Sequence, residues 1–502
     1  HYASGSDRSK KDSGGWKDAQ EESDTNWDAF RRIRMRSIFE AIDPDNAEKV
    51  NYSPRYSYKQ PVLEMRLAKE YFPLAGGDEK PDYQSLWDRF YGETTKVRGQ
   101  SLRSMAETML YLLEKYTSHI PSSTVHLPDV SLFDHSKMVA AFAVCLLDFV
   151  RDHGRNSLPG PEEKPFALIG GDVSGIQKFI YSIIARGAAK NLKGRSFYLQ
   201  LLVDTVVRRI LDELDLFDAN VVYASGGTFY IIAPNRKDLP HLLSKVEQEI
   251  TSQLFKYHGT DLYLMLTHVP FGEQELYYDA KYRDDYQKGL RRSISEVWRN
   301  VAENLGARKG QRFRYQIAAS YGSFFEPIQE GGDLVRDAIT GEPIKGRSVK
   351  IDDNREVSPY TYQMIELGKR LKGAQFWVQS RKEIPGMKDQ GFQVMDLPYY
   401  HYFVPSKRLR SIESMLTSQG GGRIIFFNSE SDNGSGGFGA IDFLQTSPNA
   451  TDNVYGFTFY GGNDYPESSA DEGPKTFEEL CGIVFADKDR KKRLAAPGLV
   501  RL

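Results

Sequence analysis

The sequence predicts an α+β fold built around an antiparallel sheet. Two observations carry this reading. From residue 165 onward, short apolar runs ending in glycine alternate with stretches of helical period, in the order strand, helix, helix, strand, strand, helix, strand. Two of those strands also flank Ser225-Gly226-Gly227, the signature of a tight hairpin. That order is the order of a ferredoxin-like palm of the cyclase or polymerase type, with one sheet and its helices on one face.

The elements follow in order. Residues 1–25 are rich in Ser, Asp, Lys and Gly and read as loop or disorder. Residues 28–41 carry helical spacing, and 44–61 read as a loop. Helices are expected at 84–90 and 101–115, the second with Leu102, Met105, Met109, Leu112 and Leu113 on one face. A strongly apolar helix covers 131–150, and Gly, Pro and charge at 154–164 mark a domain boundary. The palm strands are expected at 165–171, 220–224, 228–233 and 262–269, and its helices at 176–185, 195–214 and 239–257. Beyond it, 276–305 is charged and helical, 315–323 is strand-like, and 331–354 is loop-rich. A helix at 358–371 precedes strands at 375–379, 392–395 and 423–428.

Composition narrows the function. With 502 residues, the chain can bury several cores. A formal net charge of −2 rules out a chain-wide positive field, so any nucleic-acid contact must be local. The two cysteines, Cys145 and Cys481, cannot make a disulfide framework or a four-cysteine zinc site. No apolar run reaches the length of a membrane span, and the polar start carries no signal peptide. A cytoplasmic location is expected.

Chemistry concentrates in the stretch 169–181, IGGDVSGIQKFIY. A strand ends at Asp172, and a Ser174-Gly175 turn opens a helix that carries Gln177. An acid at such a strand end can hold a metal, and a helix start offers free N–H groups to phosphate. Asp172 could equally cap the helix. Downstream, Lys190, Lys193, Gly194 and Arg195 precede the second helix, with Ser196 placed to cap it. These cations could neutralise phosphates or form a solvated face. Gly226 and Gly227 let a base or ribose approach the hairpin, or merely satisfy its turn.

Nucleotide cyclases of the GGDD type need acids at a glycine hairpin tip. Three GGD strings occur, at Gly76, Gly170 and Gly331, and none sits at such a tip. The real tip reads Gly226-Gly227-Thr228-Phe229, without a carboxylate.

The corner 169–181, the stretch AKNLKGRSFY at 189–198 and the hairpin YASGGTFY at 223–230 together resemble the large subunit of type III-A CRISPR–Cas effector complexes, of the Csm type. Upstream, KYTSHIP at 115–121 and DVSLFDHSKMVAA at 129–141 resemble the helical approach to that family's first palm, and Ala3–Arg8 the segment after its HD nuclease motifs. The resemblance implies a guide CRISPR RNA, a target RNA and other effector subunits as partners. It implies ATP with Mg or Mn as the substrate system of a cyclic oligoadenylate synthase that also cleaves single-stranded DNA. Two departures stand out. No His-Asp dipeptide occurs, so no DNase site is expected in this chain. Residues 336–343 hold no cysteine where the family often has a zinc ribbon, so no zinc is expected.

The resulting division is 1–50 as a remnant after an HD domain, 51–160 as a helical region and 161–275 as the first palm. An inter-palm lobe of mixed α+β structure follows at 276–480, and 481–502 opens a truncated second palm, with Leu499–Leu502 as half of its first strand. Asp172, Ser174, Gly175, Gln177, Lys190, Lys193, Gly194, Arg195, Ser196, Gly226 and Gly227 are the candidate nucleotide-binding residues, and Asp172 is the one candidate metal ligand. No catalytic residue is expected in this chain, which would give the parent protein its nucleotide-binding first palm and scaffold; the alternatives are a stand-alone cyclase, against which the missing hairpin acids argue, and a non-catalytic scaffold.

Overall fold

The computed structural model describes residues 34–37, 56–59, 71–75, 82–97, 101–122, 128–182, 188–277, 292–326, 335–426 with short gaps, and 452–458. Three helices come first: α1 (Tyr83–Thr94), α2 (Leu102–Thr117) and α3 (Leu132–Asp152). Ser101 and Ser131 cap the latter two, each accepting from the backbone N–H three residues on. α3 buries Phe133, Ala141, Cys145 and Phe149.

The central unit then runs β1 (Phe166–Ser174), α4 (Ile176–Tyr181), α5 (Ala188–Leu214), β2 (Val221–Ser225), β3 (Thr228–Pro234), α6 (Leu239–His258) and β4 (Tyr263–Phe271). The strands form one antiparallel sheet in the order β2-β3-β1-β4. After it come α7 (Ile294–Lys309), α8 (Arg314–Ala319), α9 (Tyr321–Phe325), α10 (Pro359–Leu371) and β5 (Phe376–Ser380). β6 (Phe392–Gln393), β7 (Tyr400–Val404), α11 (Leu409–Ser418), β8 (Arg423–Phe426) and β9 (Val454–Phe457) complete the described chain. These later strands make a second sheet, β6-β7-β5-β8-β9, antiparallel except for the parallel pair β8–β9. The chain is thus a mixed α+β protein with antiparallel sheets.

Helices cover both faces of the first sheet, not one. β1 is apolar on both sides, so each needs cover. Ala167, Ile169 and Val173 face α5 and α6. Phe166 and Leu168 face α3 and α7, together with Cys145, Val297, Val301 and Leu305. The first of these cores continues through Met364, Leu367 and Leu371 of α10 into Trp377 and Phe403 of the second sheet.

Several local expectations are corrected. Arg34–Ser37 is extended rather than helical, with Arg36 bridged to Ser57 and its N–H donating to Pro128 O at 2.7 Å. The rest of 28–41 lies outside the described residues. On α2, Leu102 is 81% exposed and Met105 is also exposed, whereas Glu107, Thr108, Leu112, Lys115 and Tyr116 are buried. The helix turns this mixed face inward because β9 and the ion network below lie there. Residues 314–325 form α8 and α9 instead of a strand. The outer edge of β4 gives this segment no ladder to join, because the Leu266 N–H there is taken by the Glu247 carboxylate. The expected second-palm residues 481–502 and Cys481 lie outside the described residues.

Candidate nucleotide site

The corner is built from β1 upward. Gly170 and Gly171 sit inside the strand, where their missing side chains make room for neighbours. A Cβ on Gly170 would lie 2.3 Å from Val301 Cγ1, and one on Gly171 would lie 2.0 Å from the Phe229 ring. This packing, not phosphate contact, is the role the structure gives the glycine pair. The strand continues past Asp172 to Ser174. Asp172 therefore pairs within the sheet, opposite Thr228 and Met265, and does not cap the helix.

Asp172 lies on the α7 face, in step with Gly170 and Leu168. The Thr228 hydroxyl donates to its Oδ1 at 2.9 Å. The Lys309 ammonium, on the last residue of α7, sits 3.1 Å from its Oδ2. Arg308 next to it donates to both oxygens of Glu247 at 3.0 and 2.9 Å, which fixes the end of α7.

The turn after Ser174 requires glycine twice over. Gly175 has φ +96°, and a Cβ there would lie 1.7 Å from Asp261 O. Lys178 pairs with the Asp261 carboxylate at 2.6 Å. Val173 N–H donates to Gly227 O at 2.8 Å, so the hairpin tip is tied to the corner. Gly226 and Gly227, at φ +63° and +91°, make that tip. Asp172, Ser174, Gly175, exposed Gln177, Gly226 and Gly227 are thereby brought together.

The basic group is placed elsewhere. α5 begins at Ala188, so Lys190, Lys193, Gly194, Arg195 and Ser196 all lie on the helix, and Ser196 is not its cap. Ala, Leu and Lys extend the helix toward the N-terminus, past Gly194, whose place inside it is set by its contact with α10. A Cβ on Gly194 would lie 1.9 Å from Met364 O, so this glycine permits close contact with α10. Arg195 is only 7% exposed. Its guanidinium lies 4.4 Å from the Phe179 ring centre and donates to Ser182 O at 3.4 Å. Burial pulls its pKa down from the usual arginine range. Phe179 belongs to the α5 side of the sheet, so Arg195 and Asp172 are on opposite faces. Beside it, the Tyr198 hydroxyl lies 2.7 Å from His258 Nε2, and burial lowers the His258 pKa to about 4.

A resident metal does not fit the corner. The Asp172 carboxylate is already held by a hydroxyl and an ammonium, Asp261 at the turn is paired with Lys178, and an ammonium beside an acid opposes a divalent cation. Among the described residues, no group of three or more His, Cys, Asp or Glu side chains could hold a metal ion. Lys309 escaped the sequence reading because it lies far along the chain and has no local motif.

A cleft of about 420 Å³ lies away from the corner, between α2, α5 and the second sheet, lined by Arg103, Asp212, Arg381 and Arg423 among others. At its base Arg208 and Arg423 both pair with Asp218, and Arg423 Nη1 is 3.6 Å from Glu107 Oε2. Burial and the nearby Asp218 push the Glu107 pKa up. Arg208 and Arg423 hold Asp218 below the usual range against the effect of burial.

Residues 165–326 match the family described as Csm1 subunit domain B. A Methanocaldococcus jannaschii protein named CRISPR system single-strand-specific deoxyribonuclease Cas10/Csm1 (subtype III-A) is 31% identical over 280 residues, 50% of this chain and 34% of that protein. The protein of the same name from Thermococcus onnurineus is 34% identical over 271 residues, 52% of this chain and 32% of its own length. A crystal structure of a Csm1–Csm4 cassette in complex with cA4 superposes with a TM-score of 0.55 at 23% identity, covering 90% of this chain and 49% of that one. One in complex with one ATP gives 0.56 at 23% identity, covering 89% and 49%. No helix among the described residues is long and apolar enough to cross a membrane. By these matches the chain is similar to Cas10/Csm1 proteins of subtype III-A CRISPR systems, and it spans about a third of the length of the curated relatives it matches.

Proposed function

We propose that this chain supplies the first, nucleotide-holding palm and its scaffold to the large subunit of an RNA-guided type III effector. The strand order β2-β3-β1-β4, with helices between β1 and β2 and between β3 and β4, supports the ferredoxin-like palm reading. Residues 161–275 form that palm, flanked by the helical region 51–160 and the inter-palm lobe 276–480. By the resemblance, the whole protein makes cyclic oligoadenylate from ATP with Mg or Mn and cleaves single-stranded DNA once target RNA is bound. Guide CRISPR RNA, target RNA and further effector subunits are its partners, in the cytoplasm. The relatives' names as single-strand-specific deoxyribonucleases and the cassettes solved with ATP and cA4 support this reading.

One observation carries the division of labour: Asp172 is paired with Lys309 and accepts from the Thr228 hydroxyl, and the hairpin tip has no carboxylate. Metal-organised phosphoryl transfer needs acids free to hold the ion against the triphosphate. This palm therefore holds a nucleotide at the corner of Asp172, Ser174, Gly175, Gln177, Gly226 and Gly227 but does not turn it over. A pure scaffold is the second reading, favoured by the packing roles of Gly194 and Arg195.

The test is calorimetric titration of the chain with ATP, followed by incubation with ATP and Mg²⁺ or Mn²⁺ and chromatography of the products. Binding without product is expected. Oligoadenylate that disappears in Asp172→Ala would overturn the division of labour, and absence of binding would leave only the scaffold.

A further inference from the structure

None of the candidate residues that converge on the hairpin end of the sheet is a cation, and Lys178 at the corner is paired with Asp261. Arg195 is buried against Phe179 on the other face. The cation that does reach Asp172 is Lys309, whose side chain is 55% exposed while Asp172's is 17% exposed. Lys309 ends α7, where the helix's own partial negative charge favours a cation, and Arg308 anchors that end on Glu247. On the same face, Tyr223 and Tyr230 occupy facing positions in β2 and β3, two residues from the Ser225–Thr228 pair. Tyr223 is 51% exposed on the edge strand β2, two strands from β1, which carries Asp172.

We propose that Lys309 is the phosphate-binding cation of this palm. It is parked on Asp172 in the free protein, and it moves to the polyphosphate of a nucleoside triphosphate that stacks its base on Tyr223. The inference rests on the nucleotide-holding reading above. It names a lysine, and no divalent metal, as the charge that receives the phosphates. An exposed lysine on a flexible stem can exchange a carboxylate for a phosphate without moving the backbone. Asp172 is then a competitor of the nucleotide and not its ligand.

The experiment is titration of the full chain with ATP, adenosine and inorganic tripolyphosphate in the presence of EDTA, for wild type, Lys309→Ala, Asp172→Asn and the double variant. Lys382→Ala removes an exposed charge elsewhere and serves as control. Lys309→Ala is expected to weaken ATP and tripolyphosphate roughly tenfold and adenosine hardly at all, as loss of one charge-assisted contact requires. Asp172→Asn is expected to tighten ATP, and the double variant to lose that gain. Circular dichroism confirms that each variant folds. If wild type binds ATP and Lys309→Ala matches it within about twofold, the role of Lys309 is refuted while the nucleotide reading stands. If wild type binds neither ATP nor tripolyphosphate at millimolar concentration, both fall together.

Discussion

Replacing Glu247 by Ala should destabilise the chain by about 3 kcal/mol, the low end of the range for breaking a buried ion pair. Glu247 lies on α6 and is only 2% exposed. Its carboxylate accepts from Arg308 at 2.9 and 3.0 Å, Arg314 at 2.9 Å, the Tyr315 hydroxyl at 3.0 Å and the backbone N–H of Leu266 at 3.3 Å. Loss of the carboxylate leaves two guanidinium groups, but these are 32% and 36% exposed and can regain water. That recovery sets the estimate at the low end of the range. Glu247→Gln keeps the shape and an acceptor for Leu266 but loses the charge, so about 1.5–2 kcal/mol is expected. The assay is urea unfolding followed by far-UV circular dichroism, comparing midpoints at constant slope. Two variants each within about 0.5 kcal/mol of wild type would show that this carboxylate does not close the sheet edge energetically.

Three further outcomes are expected. Gly194→Ala should destabilise by about 2 kcal/mol or more through the clash with Met364 O, whereas an open helical site would gain up to about 1 kcal/mol from alanine. A gain in thermal midpoint refutes the close approach. Burial, then Asp218, raises the Glu107 pKa above its unfolded value, so the folded state holds that proton more tightly and stability falls as pH rises from 5 to 8. Glu107→Gln should flatten that fall by roughly 1–2 kcal/mol in chemical denaturation at the two pH values, and an unchanged slope refutes the assignment. His119 and His258, lowered by burial to about 4, and His401, lowered to about 3, stay neutral in the fold and charge when it opens. Their contribution is present above the ordinary histidine pKa and is lost as pH falls from there toward 4, so unfolding near pH 5.5 should take up protons. A net proton release, measured by calorimetry in two buffers, contradicts this.

The parts of the fold that the sequence disclosed are those fixed within a few residues. The hairpin at Gly226-Gly227 needs positive φ at both positions, and only glycine supplies that at no steric cost. The corner at Gly175 is legible for the same reason. The apolar run 166–169 announced a buried strand, but it could not say how many faces were covered, because a run that is apolar throughout has no period of two. The start of α5 lies seven residues before the expected one, because Gly194 reads as a break in the sequence while the helix runs through it. The segment 315–323 reads as strand-like, but the helix start at Arg314 and Tyr315 is bound to the distant Glu247, which no local pattern announces. The site divides in the same way: Asp172 and the glycines lie in one continuous stretch and its hairpin, whereas Lys309 reaches them only through the path of α7. Arg195 resembled a phosphate ligand by type and spacing, yet the helix turns it inward against Phe179.

The contact of Gly194 with Met364 has a mechanical consequence. Where two helices meet backbone to backbone, no layer of side chains lies between them to slide or repack. A tilt of α10, and of the second sheet whose core it shares, bears directly on the α5 backbone at Gly194. α5 in turn touches α4, and Arg195 binds the carbonyl of Ser182 just past the end of that helix. Load applied to the far sheet would act through this train on α4, which follows the corner that holds Asp172.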